Sequence, residues 1–196
     1  MVFHKYKLIF TGIAKNASTS VFEVLRNNTD NQHNHHTILE DYGMNDSDLM
    51  ESYPNFCIVR NPYDRFISGC HQIRRDGESQ ANLSINEIFE GWVLKSDWLN
   101  DAFKPQHRFV CFGNNILMDH ILRYETLEED WKKFVEEYNK NSKFKIRSKL
   151  PSYNVSDDKQ SWKEELKELT EDNLQALNHF YEKDFKLFNY EIINKL

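Results

Sequence analysis

A run of small and hydroxyl residues follows the first apolar segment of the chain. Residues 10–20 read Phe-Thr-Gly-Ile-Ala-Lys-Asn-Ala-Ser-Thr-Ser, between a predicted strand over 5–12 and a predicted helix over 18–28. Such a loop presents backbone N–H groups to an anion, and the helix N-terminus adds the positive end of its dipole. Lys15 supplies a mobile cation, and three hydroxyl donors follow it: Ser18, Thr19 and Ser20. The pattern therefore predicts an anion-binding loop, with an ordinary strand–loop–helix turn as the alternative.

A second segment whose residues could bind a ligand covers residues 56–68, Phe-Cys-Ile-Val-Arg-Asn-Pro-Tyr-Asp-Arg-Phe-Ile-Ser. Arg60 ends a predicted strand over 55–60, and strand ends are where open α/β sheets bind ligands. Its guanidinium can donate two parallel hydrogen bonds to a phosphate. Asn61-Pro62 predicts a helix from there to about residue 75, which places Ser68 about two turns along it. In the alternative interpretation Arg60 and Arg65 form surface ion pairs, with Asp64 as a candidate partner.

Further elements alternate in the same way along the chain. The sequence predicts strands over 34–39 and 115–123 and helices over 84–95, 126–140 and 170–183. Ser84 with Glu87, and Thr126 with Glu129, fit the capping-box pattern that opens a helix. Short strand–helix units of this kind predict one α/β domain over residues 1–196, in three layers, with a mainly parallel central sheet flanked by helices.

Composition and charge exclude several classes of protein. The net charge of −6 argues against a nucleic-acid binder. The N-terminal residues lack a signal-peptide pattern, and no run of 18 or more apolar residues could span a membrane. Three widely spaced cysteines suggest neither a disulfide framework nor a metal site, so a cytoplasmic protein is expected. The oligomeric state is not predicted.

The two segments, in this order, resemble the donor-binding motifs of sulfotransferases that use 3′-phosphoadenosine-5′-phosphosulfate (PAPS). Lys15–Ser20 resembles the 5′-phosphosulfate loop and Val59–Gly69 the 3′-phosphate motif. The chain is most similar to the Golgi carbohydrate sulfotransferases, the uronyl 2-O-sulfotransferases and chondroitin sulfotransferases among them. Three later stretches share this resemblance: Pro105-Gln106, Leu122–Asp130 and Phe180–Tyr190. One departure is Ala14, where the family commonly has proline before the lysine.

The resemblance implies a P-loop-like fold and a role for each matching position. Lys15 would stabilise charge on the leaving group, and the loop Asn16-Ala17-Ser18 with Thr19 and Ser20 would bind the 5′-phosphate. Arg60 and Ser68 would bind the 3′-phosphate. The basic stretch Arg147-Ser148-Lys149 resembles a loop that closes over the nucleotide; a solvated basic turn is the alternative.

Transfer of a sulfuryl group to a hydroxyl needs a base, and histidine suits that task near neutral pH. Residues 31–42 contain three histidines, of which His36 is the expected base because related enzymes have a histidine at a comparable offset before the 3′-phosphate arginine. His35 would point to the opposite face of the predicted strand. The remaining candidates are His33, Glu40, Asp41 and His107. No metal is expected, since Lys15 and helix N-termini can carry the charge.

Two other functions compete with sulfuryl transfer. A P-loop-like nucleotide kinase would need a Gly-Lys-Ser/Thr run and a strand-end aspartate for magnesium, and neither is present. A non-catalytic nucleotide- or glycan-binding module would keep the same motifs without turnover. The expected acceptor is a carbohydrate, and four basic residues are candidates to line its cleft: Arg74, Arg75, Lys104 and Arg108.

Overall fold

A computed structural model describes residues 1–26, 52–95, 99–151 and 161–195. The predicted strand over 34–39 lies outside these residues, as do five candidate base residues: His33, His35, His36, Glu40 and Asp41. The chain forms two compact units, Met1–Val59 with Arg108–Val155 (unit 1) and Arg60–His107 with Ser156–Leu196 (unit 2). Each unit is described by itself, and the single domain over residues 1–196 stays a prediction.

The described residues form short strands and helices in alternation. The strands are β1 (Val2–Phe3), β2 (Leu8–Thr11), β3 (Asn55–Val59), β4 (Cys111–Phe112), β5 (Asn115–Ile116) and β6 (His120–Arg123). The helices are α1 (Ser18–Leu25), α2 (Pro62–Asp76), α3 (Ile85–Ile88), α4 (His107–Val110), α5 (Leu127–Asn141), α6 (Trp162–Leu166), α7 (Glu171–Phe180) and α8 (Glu182–Phe188).

Unit 1 is built on a four-stranded sheet of order β1-β2-β3-β6. Strands β2, β3 and β6 are parallel, with Thr11 opposite Cys57 and Val59 opposite Arg123, while β1 joins β2 in antiparallel fashion. The carboxyl ends of the three parallel strands, β2, β3 and β6, therefore lie at one edge of the sheet. The predicted α/β class with a mainly parallel sheet and flanking helices is confirmed.

Aromatic and aliphatic side chains join one face of this sheet to helices α1 and α5. Phe10, Phe56 and Ile58 on the strands pack with Val21 of α1 and Trp131 of α5 in a single apolar cluster. The rings of Phe10 and Phe56 stack with their centroids 4.8 Å apart. Because α1 is packed in this way, the loop that precedes it is held at the carboxyl end of β2.

Two predictions in unit 1 need correction. The capping box at Thr126 is wrong, because the Thr126 hydroxyl donates to Asp130 Oδ2 at 3.0 Å and no side chain caps α5 there. Thr126 instead ends a 3₁₀ turn over Tyr124–Thr126, and its backbone (φ −122°, ψ 26°) lacks the extended conformation of a capping residue. The single strand predicted over 115–123 is also wrong: β5 pairs with β4 in a hairpin, and only β6 joins the main sheet.

Unit 2 is a set of helices around its own apolar core. The Asn61 side chain accepts a hydrogen bond from the Tyr63 N–H at 3.0 Å, with proline at the first turn of α2, as predicted. The Ser84–Glu87 capping box is confirmed, although helix α3 continues as a π-helical turn over Phe89–Leu94. The helix predicted over 170–183 is two helices, α7 and α8. They are separated at Tyr181, whose buried hydroxyl donates to the Phe103 carbonyl at 2.6 Å.

Gly69 on α2 lies against the ring of Phe103, and a Cβ there would stand 2.6 Å from its Cε1. We expect Gly69→Ala to lower the free energy of unfolding by about 1–3 kcal/mol, because the buried ring must shift. Gly91 is a matched control in the same unit, since a Cβ there has nothing within 4 Å. Gly91→Ala should raise stability by roughly 0.5–1 kcal/mol through the entropy of the unfolded chain. Urea unfolding of both variants measures the change in the free energy of unfolding. Equal changes in the two variants would contradict the close contact between Gly69 and Phe103.

Candidate functional site

The predicted anion-binding loop connects β2 to α1 in unit 1. Two of its non-glycine residues have positive φ, Lys15 at 70° and Ala17 at 57°. Left-handed backbone costs a non-glycine residue about 1–2 kcal/mol, so the rest of the loop must hold it in place. Asn16, fully buried between them, donates from Nδ2 to the Ile58 carbonyl at 2.7 Å. The loop is thereby anchored to the carboxyl end of the neighbouring strand β3.

The three hydroxyl residues at the start of α1 have different surroundings. Ser18 is buried, and its hydroxyl donates to the Ile13 carbonyl at 2.8 Å, which closes the loop on itself. Ser20 is also buried, whereas Thr19 is exposed. No side chain caps this helix, whose N-cap is Ala17. The first turn of α1 therefore has no side-chain cap, and an uncapped helix N-terminus can bind an anion.

The basic stretch Arg147-Ser148-Lys149 is exposed in unit 1, and hydrogen bonds hold the backbone where it begins. The Trp131 indole N–H donates to the Arg147 carbonyl at 3.1 Å. The Asn139 side chain bonds both backbone groups of Ile146, each at 2.9 Å. The backbone is thus fixed next to exposed basic side chains, and the binding role of this stretch stays a prediction.

In unit 2, Arg60 is the residue immediately after β3 and has a partly buried guanidinium. Its Nε donates to Asp64 Oδ2 at 2.8 Å and its Nη2 to Asp64 Oδ1 at 2.9 Å. The ion pair suggested by the sequence is therefore present. Asp64 and the half-buried Ser68 are four residues apart on α2 and share one face of the helix. The structure brings the Arg60 guanidinium to the helix face that carries Ser68.

A buried polar network holds the backbone of Arg60. The Gln106 side chain accepts from the Arg60 N–H at 2.9 Å and donates to the Arg60 carbonyl at 2.8 Å. Asp184, fully buried on α8, accepts from the backbone N–H groups of Gln106 at 2.6 Å and His107 at 2.9 Å. His107 Nδ1 lies 2.7 Å from Asp184 Oδ1, so the carboxylate fixes Nδ1 as the donor. Sequence reasoning did not assign Asp184 a role, although it lies in one of the stretches that carry the resemblance.

Arg65 is a buried structural residue and not a surface ion-pair partner. It is 1% exposed, and its two terminal nitrogens donate to the carbonyls of Lys104 and Asp101 at 2.8 and 2.9 Å. Burial lowers the pKa of this guanidinium, while Tyr181 and Asp184 act in the opposite direction. The surface interpretation of Arg65 is therefore wrong. Its guanidinium is buried and holds the backbone at Asp101 and Lys104, just before Gln106.

Three of the basic residues proposed to line an acceptor cleft have partners within unit 2, and one of these pairs is Arg75 Nε with Asp76 Oδ1 at 4.0 Å. Lys104 Nζ lies 2.8 Å from Asp101 Oδ1, and Arg74 Nε donates to the Leu83 carbonyl at 2.8 Å. Across residues 1–26, 52–95, 99–151 and 161–195, no group of three or more His, Cys, Asp or Glu side chains could hold a metal ion. Within those same ranges, no helix is both long and apolar enough to cross a bilayer.

A groove of about 550 Å³ lies in unit 1, away from the predicted loop. Its lining includes Lys7, Pro54 and His120, which stand at the amino ends of β2, β3 and β6. This is the opposite edge of the sheet from the Lys15 loop, and none of the predicted site residues lines it. The groove therefore lends no support to the predicted donor site.

Comparison with known protein families agrees with the motifs. The model of the sulfotransferase family matches residues 1–191, almost the whole chain. The chain therefore belongs to the sulfotransferase family, whose chemistry is sulfuryl transfer and whose usual donor is PAPS. No curated protein and no solved structure matches the chain.

Proposed function

We propose that this sulfotransferase transfers the sulfuryl group of PAPS to a hydroxyl group of a carbohydrate. The observation that carries the donor proposal is the Lys15 loop, in which two left-handed residues precede an α-helix at the carboxyl end of β2. Strain of this kind at a helix N-terminus is typical of anion-binding sites. Arg60, whose Nε and Nη2 are bonded to Asp64, is the proposed ligand of a second phosphate because it directly follows β3 and its guanidinium lies at the helix face that carries Ser68.

Each motif has its own part in the proposed reaction. The acceptor oxygen forms a bond to sulfur while the bond from sulfur to the bridging oxygen breaks, and a base takes the hydroxyl proton. The bridging oxygen leaves on the 5′-phosphate of 3′-phosphoadenosine-5′-phosphate, where the Lys15 ammonium stabilises its charge. Loop amides with Thr19 and Ser20 bind the 5′-phosphate, and Arg60 and Ser68 bind the 3′-phosphate.

The carbohydrate acceptor rests on the resemblance to the uronyl 2-O- and chondroitin sulfotransferases. Their motifs are matched at Lys15–Ser20, Val59–Gly69 and Phe180–Tyr190. A uronate-containing polysaccharide is therefore the first acceptor class to test. Transfer from radiolabelled PAPS to chondroitin and to desulfated heparin, beside a simple alcohol and a tyrosine peptide, separates the carbohydrate proposal from its alternatives.

Calorimetric titration with 3′-phosphoadenosine-5′-phosphate and with ADP tests the donor site. The wild type should bind the first nucleotide tightly without magnesium and bind ADP weakly. Arg60→Ala should lose roughly ten- to hundredfold in affinity for the 3′-phosphorylated nucleotide, because charge-assisted hydrogen bonds to the phosphate are removed. Arg26→Ala is the control: Arg26 is exposed in unit 1, where it pairs with Glu23, and lies outside both motifs. Equal binding of both nucleotides by the wild type would overturn the proposal.

A further inference from the structure

The backbone of Arg60 is held through a side chain that is itself held by Asp184. Gln106 is fully buried and bonds both the N–H and the carbonyl of Arg60, as a neighbouring strand would. A primary amide is the side chain that can do this, since it offers one acceptor and two donors in a plane. The position of Gln106 therefore fixes the backbone from which the Arg60 side chain extends.

The Asp184 carboxylate fixes Gln106 from the opposite side. It receives the backbone N–H groups of Gln106 and His107 and the His107 ring nitrogen, all within 2.9 Å. Hydrogen bonds to a buried carboxylate are stronger than those between neutral groups. The contact joins residues 78 positions apart in the sequence, so it links the first turn of α8 to the segment that packs beside Arg60.

We infer that Asp184, acting through Gln106, is a positioning residue for the arginine that binds the 3′-phosphate, an inference that rests on the proposed function. Asp184 touches no substrate in this assignment. Its carboxylate sets the backbone of Gln106, Gln106 sets the backbone of Arg60, and the Arg60 side chain then starts from a fixed backbone position. Loss of the carboxylate should weaken recognition of the 3′-phosphate more than recognition of the rest of the nucleotide.

The test compares affinities for 3′-phosphoadenosine-5′-phosphate and for AMP, which lacks the 3′-phosphate. The dissociation constant for AMP divided by that for 3′-phosphoadenosine-5′-phosphate measures discrimination in favour of the 3′-phosphate. A general loss of protein stability does not change this ratio. Asp184→Asn turns an amide NH₂ toward at least one of the three N–H donors that now meet the carboxylate, so the ratio should fall about tenfold. Gln106→Met, which leaves the backbone N–H bonds to Asp184 in place, should lower the ratio similarly and decides the question if Asp184→Asn does not fold.

Glu165→Gln provides the matched control in the same unit. Glu165 is a buried carboxylate with one histidine partner, since its Oε2 lies 2.6 Å from His71 Nε2. The inference predicts an unchanged ratio for this variant. An unchanged ratio in Gln106→Met or in folded Asp184→Asn, or an equal fall in Glu165→Gln, overturns the inference while Arg60→Ala still loses the discrimination. If Arg60→Ala itself keeps the wild-type ratio, the proposed donor site fails as well.

Discussion

Replacing Lys15 by methionine is expected to lower the turnover number about 10²- to 10³-fold, the usual effect of removing one group that stabilises charge in a transition state. The proposed role of Lys15 is exercised on the bridging oxygen, which gains charge only as the bond to sulfur breaks. Affinity for 3′-phosphoadenosine-5′-phosphate should therefore change by less than about tenfold, because ground-state contacts are made mainly by the loop amides. Initial rates of PAPS consumption with chondroitin and calorimetry on the same samples give the two numbers.

Lys7 makes a closely matched control for this experiment. Both lysines flank β2, and both have positive φ, 50° at Lys7 and 70° at Lys15. The two substitutions thus remove the same charge from the same kind of backbone, but Lys7 precedes the strand and Lys15 follows it. Lys7→Met should keep the wild-type rate. Equal losses in both variants, or a Lys15→Met loss that lies entirely in nucleotide affinity, would contradict a leaving-group role.

Local signals in the sequence were sufficient to predict the elements that carry both motifs. An apolar run predicted β3, and Asn61-Pro62 predicted the start of α2, because the cap and the fixed proline φ act within a few residues. The Ser84 capping box was confirmed for the same reason. The equivalent pattern at Thr126 failed because Thr126 ends a 3₁₀ turn and so lacks the extended backbone of a capping residue. A local pattern therefore predicts a helix start more reliably than it predicts the hydrogen bond that makes it.

Contacts between distant parts of the chain could not be predicted in this way. Gln106 and Arg60 are 46 positions apart, and no local pattern marks their double hydrogen bond. The buried state of Arg65 was missed because arginine is usually exposed, and only the tertiary structure supplies the two carbonyl acceptors. The Tyr181 hydroxyl, between α7 and α8, likewise meets an acceptor 78 positions away, the Phe103 carbonyl. The elements that carry the motifs were thus predictable, whereas the network that holds Arg60 was not.

The identity of the base is the second question for which a large effect is expected. His36→Ala should lower turnover about 10²- to 10⁴-fold, the usual contribution of a positioned general base. Affinity for 3′-phosphoadenosine-5′-phosphate should stay the same, because no nucleotide contact is assigned to this residue. This combination would also exclude a non-catalytic binding module, which has no turnover to lose. His35→Ala is the adjacent control, since neighbouring residues of the predicted strand over 34–39 would point to opposite faces.

His107 is the strongest competitor for this role among the described residues. Its Nδ1 is fixed as a donor by the Asp184 carboxylate, which leaves Nε2 to accept a proton, the arrangement used by catalytic histidines that a carboxylate orients. The pH profile and the variants together separate the two. A base works only when deprotonated, so kcat/KM of the wild type should fall as pH is lowered through the histidine range of about 6 to 7. If His36 is the base, that dependence disappears in the residual activity of His36→Ala and persists in His107→Ala. The reverse result would transfer the role to His107 and make Asp184 its orienting carboxylate.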